Sequence, residues 1–317
     1  MTQIDKSRFE WIGSDSARRE GISRPSTTFW KDAIGRLMKN KVAVVCFFII
    51  VLLILSCIIV PFFSPFENRE QHLGEVNKGF MTVCTDSRYE GQHHVHYFGT
   101  DNLGRDLFLR AFEGGRVSLM IAFAAVFVNL IVGLIYGGIS GYIGGAVDTI
   151  MMRIVEIVNG IPYLIVVILL MMVLPKGIFT MVVAYGITGW TGMARLVRGQ
   201  VLQLKSQEYI VAAEAMGAKS SRIIAKHLIP NALSVIIINV TLAIPSAIFT
   251  EAFLSYIGLG VPVPQPSWGV LAKGGQDVFM TYPYQLVVPA VAISLTMLSF
   301  NLLGDGLRDA FDPRLRR

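Results

Sequence analysis

The stretch that decides the fold is residues 42–63, which read VAVVCFFIIVLLILSCIIVPFF and contain no charged side chain. A helix needs about 20 consecutive, mostly apolar residues to cross the hydrocarbon core of a bilayer. Because backbone polar groups find no water there, a run of this length satisfies them by forming a helix. No small-residue cleavage site follows the run, so we expect it to stay as an anchor and not to be removed as a signal peptide.

Five further uncharged stretches predict five more spans. They are residues 117–143, 157–174, 177–194, 232–250 and 282–304. The chain is 53% hydrophobic and 16% charged, whereas soluble domains carry about 25% charged residues. We therefore predict an all-α membrane protein with six transmembrane helices.

The distribution of Lys and Arg predicts the orientation of these spans. If the N-terminus lies in the cytoplasm, twenty of the 28 basic residues fall on the cytoplasmic side, as the positive-inside rule requires. Both termini are then cytoplasmic. The net charge of +6 is explained by this topology, and we expect no nucleic-acid partner.

The spans divide the chain into five parts. A cytoplasmic tail, residues 1–41, contains an amphipathic helix at 29–39 that we expect to lie along the inner membrane face. After the first span at 42–63 comes an extracytoplasmic loop, residues 64–116. The remaining parts are a five-span core at 117–304, with a cytoplasmic loop at 205–231, and a cytoplasmic tail at 305–317.

Glycine and proline residues mark special positions within the spans. Pro162 and Pro245 are expected to interrupt the third and fifth spans, because proline lacks an N–H group. A four-residue glycine repeat in the second span predicts either a smooth face for close helix packing or a helix that flexes during transport. The repeat consists of Gly133, Gly137, Gly141 and Gly145.

Three charged residues in or beside the spans are candidates for the transport pathway, since charge is costly in lipid. Arg153 and Glu156, three residues apart, form either an ion pair near the inner interface or part of a gate. Glu251 follows the fifth span and is either a gate or peptide contact near the outer end, or a hydrogen-bonded structural carboxylate.

The cytoplasmic loop has the signals of two short helices. Ser206 is a good N-cap, and Gly217 is a good residue to end the helix that follows. Ser220 can cap again, which predicts a second helix at 222–229 before Pro230.

The first of these short helices has a small, mostly apolar surface. Ile210, Ala213 and Met216 line one side, with Tyr209 and Ala212 beside them. Such a helix between two spans either docks a cytoplasmic partner or lies on the membrane, and the composition favours neither.

The spacing in this loop resembles the EAA loop of ABC importer permeases. Ala212, Ala213, Gly217 and Pro230 match the motif at the right spacing. Where the general motif has Glu, Ile and Leu, this chain departs from it, at Val211, His227 and Ile229. Such departures are usual in the peptide branch of these permeases. This chain resembles the pattern of that branch at three places: GA at 217–218, RII at 222–224 and HLIPN at 227–231.

Three more blocks resemble the second permease subunit of oligopeptide and dipeptide systems, within the peptide and nickel permease family. They are FGTDNLGRD at 98–106, PSWG at 266–269 and FNLLGDGLRDAFDPR at 300–314. The resemblance implies the type I ABC importer permease fold. It also implies an importer of oligopeptides in which this chain forms half of the pathway.

The partners that this resemblance implies are a second homologous permease, two cytoplasmic ATPases, an extracytoplasmic peptide-binding protein, the peptide and membrane lipid. The chain has no phosphate-binding Gly-x-x-x-x-Gly-Lys-Ser/Thr loop, so we expect no enzymatic activity and no cofactor on it, with ATP and Mg²⁺ bound by the ATPases. The residues expected to couple to an ATPase are Glu208, Tyr209, Ala212, Ala213, Glu214, Met216, Gly217, Ala218, Arg222, His227 and Pro230.

Histidines and cysteines leave one further possibility open. His93, His94 and His96 cluster in the loop after the first span, where they form a metal site or are solvated residues that precede the 98–106 block. We expect the second and assign no metal ligand. Cys84 lies in the same loop without an obvious partner, so no disulfide is predicted.

Alternative functions remain at this point. The substrate of an ABC importer could be a dipeptide, nickel or a peptide-like compound. A stand-alone secondary transporter would be driven by protons and would need no ATPase. A membrane-embedded enzyme finds no support, because no acid-base pair or metal-ligand motif lies inside the predicted spans.

Overall fold

The computed structural model describes residues 29–68, 70–85 and 94–312. Their α-helices, in chain order, are α1 (Phe29–Lys39), α2 (Lys41–Phe63), α3 (Leu107–Ile143), α4 (Gly145–Gly160), α5 (Tyr163–Val173), α6 (Ile178–Thr188), α7 (Trp190–Lys205), α8 (Glu208–Ala215), α9 (Ser220–Ile223), α10 (Ile229–Tyr256), α11 (Trp268–Asp277) and α12 (Tyr284–Phe311). A 3₁₀ helix (Leu73–Glu75), a π-helix (Ile224–Leu228) and the short strands β1 (Thr82–Val83) and β2 (Val95–His96) complete the described elements.

Four helical segments are long and apolar enough to cross a membrane. They are Lys41–Phe63, Leu107–Ile143, Ser220–Tyr256 and Tyr284–Phe311. They coincide with the predicted first, second, fifth and sixth spans, so those four predictions are confirmed. Pro245 lies inside α10, which is helical throughout, and the interruption predicted there is wrong.

The third predicted span is a bent pair of helices. α4 and α5 meet at an angle of 79°. Between them Ile161 is extended, with φ −87° and ψ 120°, because the ring of a following proline disfavours helical dihedral angles. The predicted interruption at Pro162 is therefore confirmed, and the pair counts as one broken span.

The fourth predicted span is divided between two helices. α6 is apolar but only 11 residues long. Gly189 keeps right-handed helical dihedral angles and donates its N–H to Tyr185 O at 2.8 Å, so α6 leads directly into α7. The count of six transmembrane helices is thus approximate: four long helices, one bent pair and one short apolar helix in the described chain.

α3 packs closely along α7 through its glycine face. A Cβ atom on Gly133 would lie 2.6 Å from Met193 Cβ, and one on Gly137 would lie 2.3 Å from Ala194 O. A Cβ atom on Gly141 would lie 2.9 Å from Arg198 O. These contacts confirm the packing interpretation for three of the four glycines. Gly145 has open space around it and begins α4, so its place in the repeat was wrong.

α1 lies against the end of α12. Ala33 is buried, and Trp30 packs edge-on against Phe311 with ring centroids 5.7 Å apart. Ile34 and Met38 remain exposed on the other side. The helix is amphipathic as predicted, with one apolar side used for packing and another available to lipid.

The segment that joins α2 to α3, residues 64–106, contains the only strands in the described chain. β1 and β2 pair antiparallel, with Thr82 opposite His96. The start of α12 holds this segment in place: Tyr284 Oη donates to Lys78 O at 2.7 Å, and Gln285 Nε2 donates to Asn77 Oδ1 at 2.8 Å. The all-α prediction is correct for the membrane part and misses this small sheet.

Candidate functional site

The short helix α8 lies between α7 and α9 and is the centre of the predicted coupling loop. Its N-cap is Gln207, which makes no side-chain capping hydrogen bond. Ser206, the predicted N-cap, instead ends α7, and its hydroxyl donates to Gln203 O at 3.1 Å. The predicted cap was wrong by one residue because the end of α7 already engages the serine.

The C-terminal end of α8 forms a Schellman motif at Gly217. Gly217 N donates to Glu214 O at 2.9 Å, and Ala218 N donates to Ala213 O at 3.1 Å. Gly217 has φ +79°, a conformation that glycine adopts without the steric cost of a Cβ atom. The predicted helix end at Gly217 is confirmed.

Two apolar residues hold α8 against the rest of the protein. Ile210 is 0% exposed and belongs to a cluster with Val197 of α7 and Ile223 of α9. Ala213 is also buried. Met216, which was predicted on the same side, is 81% exposed. The predicted apolar side is therefore mostly the seat of the helix, not a surface for a partner.

Exposed residues at α8 include Tyr209, Val211, Ala212, Ala215 and Met216, which we call the α8 outer face. Glu208 and Glu214 beside this face are also exposed. Tyr209, Ala212 and Met216 of this face are among the predicted coupling residues, whereas Val211 and Ala215 are not. Val211 and Ala215 are each two positions from the buried Ala213, and residues two positions apart lie on nearly opposite sides of a helix.

Two side-chain hydrogen bonds fix the position of α8 relative to the spanning helices. Tyr142 Oη donates to Glu214 Oε1 at 3.1 Å, which ties α8 to the end of α3. Asn231 Nδ2 donates to Tyr209 Oη at 3.2 Å, which ties α8 to α10. Both hydrogen bonds are exposed, and they connect α8 with α3 and with α10.

The second short helix of the prediction does not stand alone. α9, the π-helix and α10 run on without a gap from Ser220 to Tyr256. Lys219, not Ser220, occupies the N-cap position. The wider π turn lies just before Pro230, where it accommodates a ring that would clash with the carbonyl of an ordinary helical turn.

The other predicted coupling residues lie around this junction. Arg222 and Pro230 are exposed, as is Glu208 at the start of α8, while Ala218 and His227 are half-buried. His227 O accepts a hydrogen bond from Asn231 Nδ2 at 2.7 Å.

Arg153 and Glu156 form an exposed ion pair on α4. Arg153 Nη1 lies 2.5 Å from Glu156 Oε2, and the side chains are 72% and 59% exposed. This distance and exposure agree with the interpretation of Arg153 and Glu156 as an ion pair. An exposed pair of this kind contributes at most about 1 kcal/mol to stability, so the pair alone gives no argument for a gate.

Glu251 is buried where α10 passes close to α3 and α11. Ser255 Oγ donates to Glu251 Oε1 at 2.7 Å. Nearby, Trp268 N donates to Ser118 Oγ at 3.1 Å and Trp268 Nε1 donates to Ala111 O at 2.9 Å. In this conformation the burial and hydrogen bonding of Glu251 favour a structural role for its carboxylate over contact with a peptide.

The 98–106 block folds into a compact turn ahead of α3. Asp101 Oδ2 accepts a hydrogen bond from Arg105 Nε at 2.7 Å, and Asp106 Oδ1 caps α3 by accepting from Leu109 N at 2.7 Å. Gly104 has φ +73°, and a Cβ atom there would lie 2.0 Å from His72 O. The sequence block is thus explained by the turn that it builds.

His96 is fully buried in the same segment and is not the solvated residue that we expected. Its Nδ1 lies 2.7 Å from Asp106 Oδ2, and its Nε2 lies 3.1 Å from Glu75 Oε2. Burial alone would lower the pKa of His96, but hydrogen bonds and the charges of the two carboxylates outweigh it and raise the pKa. His94 is half-buried, and His93 lies outside the described residues.

Glu75 collects hydrogen bonds from several donors. Burial would raise its pKa, yet hydrogen bonds from the Thr85 amide, Cys84, His96 and the Thr85 hydroxyl lower it. Cys84 Sγ lies 3.3 Å from Glu75 Oε2, so the cysteine has a partner that the sequence did not reveal.

A groove of about 290 Å³ opens between α3, α6, α7 and α10. Asn129, Tyr185 and Asn239 give it polar groups at the level of the spanning helices. None of these residues was predicted, because single amides and hydroxyls in long apolar stretches carry no distinctive spacing.

Comparison with known proteins assigns the family. Residues 129–317 match the family described as "Binding-protein-dependent transport system inner membrane component". The chain belongs to this family of inner-membrane transport components. Residues 28–79 match a second family, "N-terminal TM domain of oligopeptide transport permease C". The resemblance drawn from the EAA loop and its flanking blocks is thus confirmed.

Members of the family from several bacteria are similar over nearly the whole chain. The "Oligopeptide transport system permease protein OppC" of Bacillus subtilis (strain 168) is 49% identical over 317 residues, covering 100% of both chains. The "Dipeptide transport system permease protein DppC" of the same organism is 48% identical over 94% of this chain and 90% of its own. The Escherichia coli (strain K12) protein named OppC is 42% identical over 99% of both chains.

The fold of this inner-membrane component is also found in a solved ABC transporter. A chain of the MetNI methionine ABC transporter, in an inward-facing conformation, aligns with a TM-score of 0.51 and 20% identity. The alignment covers 63% of this chain and 94% of that chain. The fold is therefore that of a type I ABC importer permease.

Proposed function

We propose that this chain is a permease subunit of an ATP-driven importer of oligopeptides. It forms half of the translocation pathway beside a second, homologous permease, while two cytoplasmic ATPases bind ATP and Mg²⁺. An extracytoplasmic binding protein delivers the peptide. Both termini and α8 lie in the cytoplasm of a bacterial cell, and the α2–α3 segment lies outside its plasma membrane.

The α8 outer face is the observation that carries the coupling role. It is small, largely apolar and exposed, while Ile210 and Ala213 seat the helix from behind. Two alanines, Ala212 and Ala215, allow a partner surface to approach the backbone closely. We infer that this face docks in a cleft of one ATPase.

The two hydrogen bonds at α8 give this docking a mechanical consequence. Since Glu214 is tied to Tyr142 of α3 and Tyr209 to Asn231 of α10, a movement of the ATPase that displaces α8 also displaces both spanning helices. ATP-driven closure would then open the pathway outward, and hydrolysis would reset it. The chain itself transmits the movement of the ATPase to the pathway and hydrolyses no ATP.

The groove between α3, α6, α7 and α10 is our candidate for this chain's share of the pathway. Polar residues within spanning segments are costly unless they face protein partners or water, and Asn129, Tyr185 and Asn239 border an open space there. A weakly specific polar lining suits a substrate whose side chains vary.

The oligopeptide assignment rests on relatives that cover the whole chain, and the 48% identical dipeptide relative makes dipeptides the second candidate. Uptake of labelled dipeptides and pentapeptides by the assembled transporter distinguishes the two. The relatives named for oligopeptide and dipeptide transport favour either substrate over nickel. Membership of a binding-protein-dependent transport family favours an importer complex over a stand-alone secondary transporter.

A charge placed in the α8 outer face tests the coupling role. We expect Ala212→Arg to lower peptide uptake more than about tenfold, because an unpaired charge buried in an interface costs several kcal/mol. Uptake is measured in cells that carry the complete transporter, with membrane levels of the chain checked by immunoblot.

The matched control is Gln203→Arg, which adds the same charge at an exposed site on α7 and should leave uptake unchanged. Wild-type uptake by a normally expressed Ala212→Arg variant would refute docking through this face.

A further inference from the structure

Three side chains with metal-binding groups converge in the α2–α3 segment. His72, Glu75 and Cys84 each offer one ligand atom, and these atoms lie within 4.8 Å of one another. The residues are 1%, 2% and 8% exposed. Their convergence is not a consequence of sequence proximity alone, because Cys84 follows β1, whereas His72 precedes the 3₁₀ turn and Glu75 is its last residue.

We propose that His72, Glu75 and Cys84 form a zinc site that fastens the 3₁₀ turn to the end of β1. An imidazole, a carboxylate and a thiolate are ligands that Zn²⁺ accepts together, and three protein ligands leave the fourth tetrahedral position to water. The sequence alone led us to assign no metal ligand. This inference differs from that assignment and does not depend on the proposed transport function.

The carboxylate of Glu75 is already held in one orientation. Thr85 donates to Oε1 through its backbone N–H and through its hydroxyl, the latter at 3.0 Å. His96 lies 3.1 Å from Oε2 and is itself held by Asp106 at 2.7 Å. In metal sites, hydrogen-bond partners of this kind orient the side chains that bind the ion and tune their affinity for it.

The surroundings of the three ligands exclude solvent. Cys84 belongs to a buried cluster with Phe66 and Leu109. The ring of Phe66 also packs edge-on against His72, with centroids 5.8 Å apart. An apolar shell strengthens metal–ligand electrostatics, because little water competes for the ion.

Binding requires one proton to leave. In the described geometry the Cys84 thiol lies against Glu75 Oε2, at 3.3 Å. On metal binding the sulfur–hydrogen bond breaks, the proton passes to solvent, and the thiolate bonds to Zn²⁺; no electron is transferred.

Zinc content of the full-length chain tests the proposal. After purification in detergent and equilibration with a zinc buffer, we expect about one Zn²⁺ per chain by elemental analysis. Cys84→Ser and His72→Gln should each lower the affinity by at least about tenfold. Cys46→Ser, which alters a buried cysteine of α2 away from the site, should bind zinc as the wild type does.

A spectrum of the wild-type chain avoids dependence on variants that fail to fold. Cobalt added in place of zinc should give a thiolate-to-metal charge-transfer band that zinc abolishes. A wild-type chain that takes up no zinc and shows no such band would overturn the proposal. So would folded Cys84→Ser and His72→Gln variants that bind zinc with unchanged affinity.

Discussion

Gly104 has almost no room for a side chain. Its φ of +73° is strained for other residues, and an added Cβ atom would lie 2.0 Å from the backbone oxygen of His72. The positive φ alone costs about 1–3 kcal/mol. We expect Gly104→Ala to lower the melting temperature of the purified chain by several degrees, as measured by tryptophan fluorescence.

Gly74 provides the matched control at this scale. It lies in the 3₁₀ turn of the same segment, and nothing lies within 4 Å of an added Cβ atom. Gly74→Ala should therefore leave the melting temperature near that of the wild type. Equal melting temperatures for both variants would contradict the close approach of Gly104 to His72.

Asp106 has two structural roles, one for each oxygen of its carboxylate. One carboxylate oxygen caps α3 at Leu109 N, and the other holds His96 at 2.7 Å. A capping oxygen is readable from sequence as an Asp before a helix. The contact with His96 is not, because it depends on β1 and β2 bringing residue 96 back to the start of α3.

At the scale of elements, the packing of α3 on α7 depends on backbone contact at Gly137. An added Cβ atom would lie 2.3 Å from Ala194 O, which belongs to the backbone and cannot move aside as a flexible side chain could. Overpacking of this kind typically costs about 1–3 kcal/mol. We expect Gly137→Ala to lower the melting temperature and the yield of folded chain.

The neighbouring glycine on the same helix serves as control. A Cβ atom on Gly138 would lie 3.5 Å from Ile224 Cγ2, an ordinary contact, and alanine favours helix more than glycine does. Gly138→Ala should match or exceed the wild-type melting temperature. A Gly137→Ala variant as stable as Gly138→Ala would show that the two helices can separate without loss.

α8 illustrates how far periodicity carries a prediction for a short helix. The helix and its end at Gly217 were predicted, because the Schellman motif is local and needs glycine. The side expected to face a partner or the membrane was wrong at Ile210 and Ala213, which are buried. Eight residues make only about two turns, and which side faces inward is decided by how the helix packs against α7 and α9.

For the whole molecule, the energy source separates the proposed importer from a secondary transporter. In membrane vesicles that hold the full transporter, we expect peptide uptake to require ATP and to stop when the ATPases carry a hydrolysis-deficient substitution. Collapse of the proton gradient should leave ATP-driven uptake unchanged. Proton-driven uptake by vesicles that hold this chain alone would contradict the proposal.

The sequence by itself determined that this chain spans a membrane, where four long helices run, and to which family it belongs. Those conclusions follow from local properties: uncharged length, which lipid requires of any span, and spaced residues such as Ala212, Gly217 and Pro230. The break in the third span at Pro162 was also predicted, since proline restricts the dihedral angles of the residue before it.

Only the tertiary structure decided which side of α8 is exposed, that Glu251 is buried beside Ser255, and that His96 lies between Glu75 and Asp106. It also decided that His72, Glu75 and Cys84 converge. Each of these depends on how separate elements pack against one another. Local spacing does not encode that packing, because several elements contribute to it at once.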